Sequence, residues 1–251
     1  MTSPDGGHLV VDRPIGQVAE PGPRQSSAPR GATAIPAYLR EVYGWAYLNP
    51  TNAYLLDRDA VVNAILLGNN GRLQRTLLSE IIPGQRVLQV AHVYGRLIPE
   101  TAELVGPTGY LDVIDVVPLQ AALCRRKLRG FPQTRVRVAD AARPPGDEMY
   151  DVVTCFFLLH EIPDERKRAV VDALLARVVP GGKVVFVDYH GPARWHPLRG
   201  IMRGLMNWLE PFAEGLWRHE IAEFASVPGD YHWQKQTLFG GLYQKTVAHR
   251  L

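Results

Sequence analysis

An apolar run, Arg86-Val87-Leu88-Gln89-Val90, leads into a tight turn at Gly95, a helix pattern from Leu97 to Val105, and a second apolar run, Tyr110 to Asp115, that ends in an acid. Strand, turn, helix and strand in about 30 residues form a crossover unit, which constrains the fold more than any other feature of the chain. The acid lies roughly 20 to 25 residues past the end of the first strand, the spacing at which a carboxylate reaches a ribose hydroxyl pair. The frame is that of a nucleotide-type cofactor loop. Its contents differ. Ala91-His92-Val93-Tyr94 fills the stretch where glycines are usual, and Gln89 stands where a carboxylate is usual.

The alternation continues. A helix is predicted over Leu119 to Leu128, then a short strand Arg135 to Val138 that runs into Ala139-Asp140-Ala141. A strand over Tyr150 to Phe156, a helix over about Asp164 to Val178, a stop at Pro180-Gly181-Gly182 and a strand over Lys183 to Asp188 follow. Such alternation implies a mostly parallel sheet with helices on both faces. Gln236 to Val247 reads as a hairpin turning at Gly240-Gly241.

Upstream, helical stripes recur: Tyr38, Leu39, Val42, Tyr43 and Ala46, then Tyr54 through Leu67, then Leu73, Leu77, Leu78 and Ile81. Tyr43, Trp45, Tyr47 and Tyr54 read as core, with an apolar substrate tunnel as the alternative. The first 35 residues are rich in Pro, Gly, Ser and Arg and carry no hydrophobic period. The expected organisation is a disordered tail (1–35), a helical cap (36–84) and an α/β domain (85–251).

The chain has 251 residues, enough for one α/β domain with a sizeable core. A net charge of +3 is too small for a nucleic-acid partner. The two cysteines, Cys124 on a helix and Cys155 on a strand, make no disulfide framework and point to a reducing compartment. No apolar run approaches the ~20 residues that cross a bilayer, and the N-terminus carries no apolar signal region. Trp195 to Arg218 interleaves aromatic and basic residues. That suits either an interfacial helix on anionic lipid or a helix packed on its own sheet.

Taken together, Val87-Leu88-x-Val90 with Gly95, then Asp115, Asp140, Tyr150-Asp151-Val152-Val153, Leu159-His160 and Val179-Pro180-Gly181-Gly182 resemble a class I S-adenosylmethionine-dependent methyltransferase. Within that superfamily the chain is similar to the ubiquinone/menaquinone C-methyltransferases. More finely, it resembles the rhodoquinone biosynthesis family, a divergent offshoot of them. The finer likeness rests on Tyr43-x-Trp45-Ala46-Tyr47-Leu48, Gln89-Val90-Ala91-x-Val93-Tyr94-Gly95, Phe156-Phe157-Leu158-Leu159-His160-Glu161 and Asp188-Tyr189-His190. The fold so implied is α/β, with a Rossmann-like, mostly parallel class I methyltransferase sheet, a C-terminal β-hairpin and an N-terminal helical cap.

The resemblance implies conversion of ubiquinone to rhodoquinone. A ring methoxy group would be replaced by an amino group, with S-adenosylmethionine as the amino donor and Mn2+ as the metal. The alternatives are a methyltransferase acting on a quinone or phenol, and a non-catalytic S-adenosylmethionine-binding partner of a quinone-synthesis complex. The implied setting is cytoplasmic and peripheral, at the inner face of the membrane, with ubiquinone and the membrane surface as partners.

Residue by residue, Asp115 would hold the ribose, unless it is simply a solvated acid at a strand end. Asp140 would meet the adenine amino group, unless it is a turn aspartate. Gln89 would leave the donor's amine uncharged, because a neutral neighbour lacks the bias of a carboxylate towards the ammonium, unless it is neutral drift at a tolerant position. His92 and Tyr94 would narrow the donor space. The resemblance adds Ala91, Gly95, Val116, Ala141 and Phe156 to the cofactor-binding set. His160 and Glu161, with His190 and Tyr94, form the expected catalytic set, where a histidine shuttles the proton shed by the attacking amine. His160, Asp188 and His190 form the expected metal set, their nitrogen and oxygen donors suiting manganese.

Overall fold

Strands buried on both faces need apolar side chains in both directions, and the central runs of this chain supply them. The computed structural model describes residues 34–193, 195, 196, 200, 204 and 212–251. The expected tail lies almost wholly outside these residues, as does much of the Trp195–Glu223 stretch.

Five helices come first: α1 (Ala37–Val42), α2 (Gly44–Tyr47), α3 (Pro50–Leu56), α4 (Asp59–Ile65) and α5 (Asn70–Leu78). There follow β1 (Arg86–Val90), α6 (Leu97–Val105), β2 (Tyr110–Asp115), α7 (Pro118–Lys127), β3 (Thr134–Val138) and β4 (Tyr150–Phe156). A 3-10 turn (Leu159–Glu161), α8 (Asp164–Leu175), β5 (Val178–Tyr189), α9 (Glu214–Arg218), β6 (Tyr231–Leu238) and β7 (Tyr243–Arg250) complete the order.

The sheet runs β3-β2-β1-β4-β5-β7-β6. Neighbours from β3 to β5 pair in parallel, and β7 joins β5 and β6 antiparallel. Past Arg86 every residue of β1 is buried. One core, with Leu73, Leu77, Leu97, Ile98 and Ala102, packs α5 and α6 on one face. The other, with Val170, Val171 and Leu174, packs α8 on the opposite face. The chain leaves β1 towards β2 on one side and returns to β4 on the other. That reversal opens a crevice at the C-terminal ends of β1 and β4, where ligands bind in sheets of this kind.

β2 carries a buried carboxylate in mid-strand. Asp112 accepts from Arg135 (2.7 Å), Arg137 (2.5 Å) and the Tyr150 hydroxyl (2.7 Å). The Arg-x-Arg spacing of β3 puts both guanidiniums on one face, so this acid fixes which strand lies beside β2.

Three local expectations are corrected. The segment Tyr54 to Leu67 is two helices, because Asp57 turns away to accept the Gly95 N–H. The helix expected to run to Val178 and stop at Pro180-Gly181-Gly182 ends at Leu175, and those three residues lie inside β5, at a register shift between Tyr150↔Val178 and Val152↔Lys183. The hairpin begins at Tyr231, earlier than its apolar residues suggest, since β6 is a largely exposed edge strand that needs no apolar face.

Candidate functional site

Asp115 closes β2 with its carboxylate buried under the loop that follows β1. Its Oδ2 accepts from the His92 N–H (2.8 Å) and its Oδ1 from the Val117 N–H (2.7 Å). Burial pushes its pKa up to about 6, against the pull of those two hydrogen bonds. Ionising it therefore costs folding stability as pH rises through 6, stability that is intact below about pH 4. The carboxylate is short of donors, and two hydroxyls would supply them.

The loop holds a glycine-like shape without the glycines. Ala91 sits in the left-handed region (φ 65°) and so does Gly95 (φ 80°). At Gly95 a side chain would also run into the Asp59 carboxylate. Lys127 anchors the far end, bonded to Asp57 and to the Gly95 carbonyl (2.8 Å).

Gln89 is buried and does not line the cavity. Its Nε2 donates to the carbonyls of Val90 (2.9 Å) and Ala91 (3.2 Å), and its Oε1 accepts from the Thr154 hydroxyl (2.7 Å). A carboxylate has no hydrogen to give those carbonyls. An amide at this position therefore holds the shape of the loop.

A cavity of about 70 Å³ opens above the strand ends. Its floor and walls include Ala91, His92, Asp115, Val116, Asp140, Ala141, Phe156, Phe157 and Glu161. Tyr38, Leu39 and Tyr47 from α1 and α2 roof it. Pockets that take cofactors run from about 300 Å³ upward, so this roof must lift for such a ligand. The Tyr47 hydroxyl latches onto Glu161. Tyr38 faces the Arg166 guanidinium, 5.7 Å from its ring centre, and burial raises its pKa to about 12.

Asp140 lines the cavity in two roles at once. It caps its own turn through the Ala142 N–H (3.0 Å) and pairs with Arg166. Tyr94 and Gly95 are off the wall. Tyr94 instead donates to the Ala46 carbonyl (3.1 Å) and receives Gln120 Nε2 (2.9 Å), tying the loop to the roof. Phe157, at the cavity edge, holds a left-handed backbone (φ 51°), a strained position for an aromatic residue.

The expected metal set does not assemble. His160 Nδ1 lies 2.8 Å from Asp188 Oδ1, and Asp188 also accepts the N–H groups of Leu159 (2.8 Å) and Tyr189 (2.7 Å). His190 is committed elsewhere. Its Nδ1 donates to the Gly241 carbonyl (2.8 Å) and its Nε2 receives Lys235 Nζ (2.9 Å). Among the described residues no three His, Cys, Asp or Glu side chains gather as a metal cage. These residues do not fit a bound Mn2+, because the acid already serves three donors and the second imidazole is tied to the hairpin. His190 also leaves the catalytic set, since it does not line the cavity. His160 does not line it either, but its Nε2 lies 3.9 Å from Glu161, which does.

Gln120, Tyr38 and Arg166 were not foreseen. A glutamine beside Ala121 and Cys124 on the buried face of α7 was the available signal. The core reading of Trp45 and Tyr54 is corrected, since both are exposed (60% and 56%), while Tyr43 is buried.

Residues 87–182 match a family model described as a methyltransferase domain. The ubiquinone/menaquinone biosynthesis C-methyltransferase UbiE of Cupriavidus metallidurans is 31% identical over 143 residues, which is 55% of this chain and 57% of that enzyme. The chain spans about half the length of the curated relatives it matches. A SAM-dependent methyltransferase structure from Aquifex aeolicus aligns over 81% of this chain and 99% of its own, with TM-score 0.55 and 17% identity. The N-methyltransferase NodS from Bradyrhizobium japonicum, in complex with S-adenosyl-L-homocysteine, aligns over 85% and 98%, with TM-score 0.54 and 13% identity. The fold is that of the class I S-adenosylmethionine-dependent methyltransferases.

Gln89→Glu puts an oxygen against two carbonyls. The substitution should lower the melting temperature by about 4–10 °C, from a cost of about 1–3 kcal/mol for unmet buried polar groups. An unchanged melting curve by circular dichroism would contradict the loop-holding role.

Proposed function

We propose that this protein is an S-adenosylmethionine-dependent transferase acting on a quinone ring. The observation that carries the reading is the convergence of Asp115, His92, Asp140 and Glu161 on one cavity at the point where the strand order reverses. The finer proposal is amination. A ring methoxy group of ubiquinone would be replaced by an amino group, as the resemblance to the rhodoquinone family implies. When bound, S-adenosylmethionine would supply the transferred group, its amino nitrogen in an amination or its methyl in a methylation.

The chain's own residues support such a ligand. Asp115 offers a buried carboxylate to the ribose hydroxyls, and the ribose donors would repay its desolvation. Asp140 stands at the end of β3, where it would take the adenine amino group while held by Arg166. Glu161 is the wall residue placed to receive a proton from an attacking amine. Behind it, His160 backed by Asp188 would pass the charge on. Methanol would then leave the ring, and the quinone itself would be the oxidant: the ring–N–Cα link would tautomerise to an imine as the ring is reduced to the quinol, and water would release the ring amine and a 2-oxo acid.

A second reading, methylation of a quinone or phenol ring, is favoured by the likeness to UbiE. Donor labelled with 15N on the amine, or with 13C on the methyl, separates the two. Ring-bound 15N with loss of methanol is the expected mass change. A gained 13C-methyl would replace amination with methylation.

A peripheral membrane position is part of the proposal. No helix among the described residues is long and apolar enough to cross a bilayer. Trp45, Tyr54 and Leu55 are nevertheless exposed on α2 and α3, with Arg58 and Arg126 at 5.9 and 5.7 Å from the Tyr54 ring centre. Aromatic side chains beside cations suit an anionic lipid surface, where a long-tailed quinone resides. Co-sedimentation with anionic vesicles should fall at least about fivefold in a Trp45→Ala/Tyr54→Ala variant. Equal recovery of wild type and variant would remove this face from the reading.

A further inference from the structure

His92 projects from the β1–α6 loop onto the cavity wall with only 9% of its surface exposed. Its Nδ1 lies 2.9 Å from Gln120 Oε1. The orientation of the Gln120 amide is settled by its other end. Nε2 gives one hydrogen to the Tyr47 carbonyl (3.0 Å) and one to the Tyr94 hydroxyl (2.9 Å), whose own hydrogen goes to Ala46. The oxygen of the amide therefore faces His92, and an oxygen can only accept. The hydrogen of the imidazole is on Nδ1, and Nε2 carries a bare lone pair.

That lone pair is buried and has no partner among the described residues. Burial, and after it the Lys127 ammonium, push the pKa of the ring down to about 3, against the hydrogen bond to Gln120. The ring is uncharged across the physiological range. A buried acceptor left unmet costs free energy that a ligand hydrogen recovers on binding.

We propose that His92 Nε2 is a neutral hydrogen-bond acceptor that reads a hydroxyl or amine hydrogen of the adenosyl ligand, with its tautomer set by the Gln120–Tyr94–Tyr47 chain. The inference rests on the donor reading above and adds a specificity element to the same cavity. A backbone loop of glycines has no such acceptor. The site should accept ligands that present a hydrogen at this point and reject those that present a lone pair, because two acceptors repel.

Calorimetric titration of wild type, His92→Phe and His92→Gln with S-adenosylhomocysteine and with adenosine tests this. His92→Phe keeps a ring and loses the acceptor, and should weaken S-adenosylhomocysteine about tenfold. His92→Gln restores an acceptor at similar reach and should stay within about threefold of wild type. An equal loss for adenosine assigns the hydrogen to a ribose hydroxyl. A loss confined to S-adenosylhomocysteine assigns it to the amine. Wild-type affinity in a folded His92→Phe protein would overturn the proposal. Should that variant fail to fold, 15N NMR of the wild-type imidazoles decides. An unprotonated Nε2 that shifts on adding ligand supports the assignment, and a protonated Nε2 overturns it. Wild type that binds neither compound would sink the donor reading itself, a result distinct from binding that ignores His92.

Discussion

One buried carboxylate ties the site together. Asp115 takes an N–H from the loop after β1 and another from the turn after β2, so a single side chain holds two connections in register. It does so at a cost, because burial disfavours its charge. The cost is tolerable in a fold where the same oxygens retain lone pairs for further donors. Remove the acid and both loops lose their common reference. The cavity, the orientation of His92 and the approach to Asp140 all follow from it.

The loop above Asp115 shows how a backbone shape survives a change of residues. Ala91 accepts a left-handed conformation that costs an alanine roughly 1 kcal/mol. Three ties compensate: the Gln89 amide beneath, the Lys127–Asp57 pair at the far end, and the Tyr94–Ala46 bond to the roof. Side chains now do what glycine flexibility would otherwise allow. In exchange, the loop gains an imidazole on the cavity wall and a direct connection to α2. Roof and floor share Tyr47, whose carbonyl holds Gln120 and whose hydroxyl holds Glu161.

The architecture was largely legible because parallel strands buried on two faces leave dense apolar runs such as Val152-Val153 in β4 and Val184-Val185-Phe186-Val187 in β5. The positions of Asp115 and Asp140 at strand ends were legible for the same reason. What failed depended on side-chain direction. His160, Asp188 and His190 share one edge of the sheet, yet His190 is drawn away by the Gly241 carbonyl and Lys235. Gln89 read as a ligand-facing residue because the resemblance puts an acid at this place, beside the donor's amine. Its amide turns back to carbonyls of its own strand end. Trp45 and Tyr54 read as core with Tyr43 and Tyr47, but α2 and α3 are too short to bury every aromatic side chain on one face. Gln120 lay in the least informative class, a polar residue in a helix, and its importance is purely one of contact.

The most direct test of the central claim is the affinity for S-adenosylhomocysteine measured from pH 5 to pH 8. If the Asp115 carboxylate receives the ribose hydroxyls, protonation puts a hydrogen on one of its oxygens and removes the charge that strengthens the bond to them. Affinity should then be level above pH 7 and fall towards about tenfold per pH unit below pH 6, while Asp115→Asn binds weakly with no such break. A wild-type profile that stays flat through pH 6, or an Asp115→Asn protein that binds as tightly as wild type, would contradict the account.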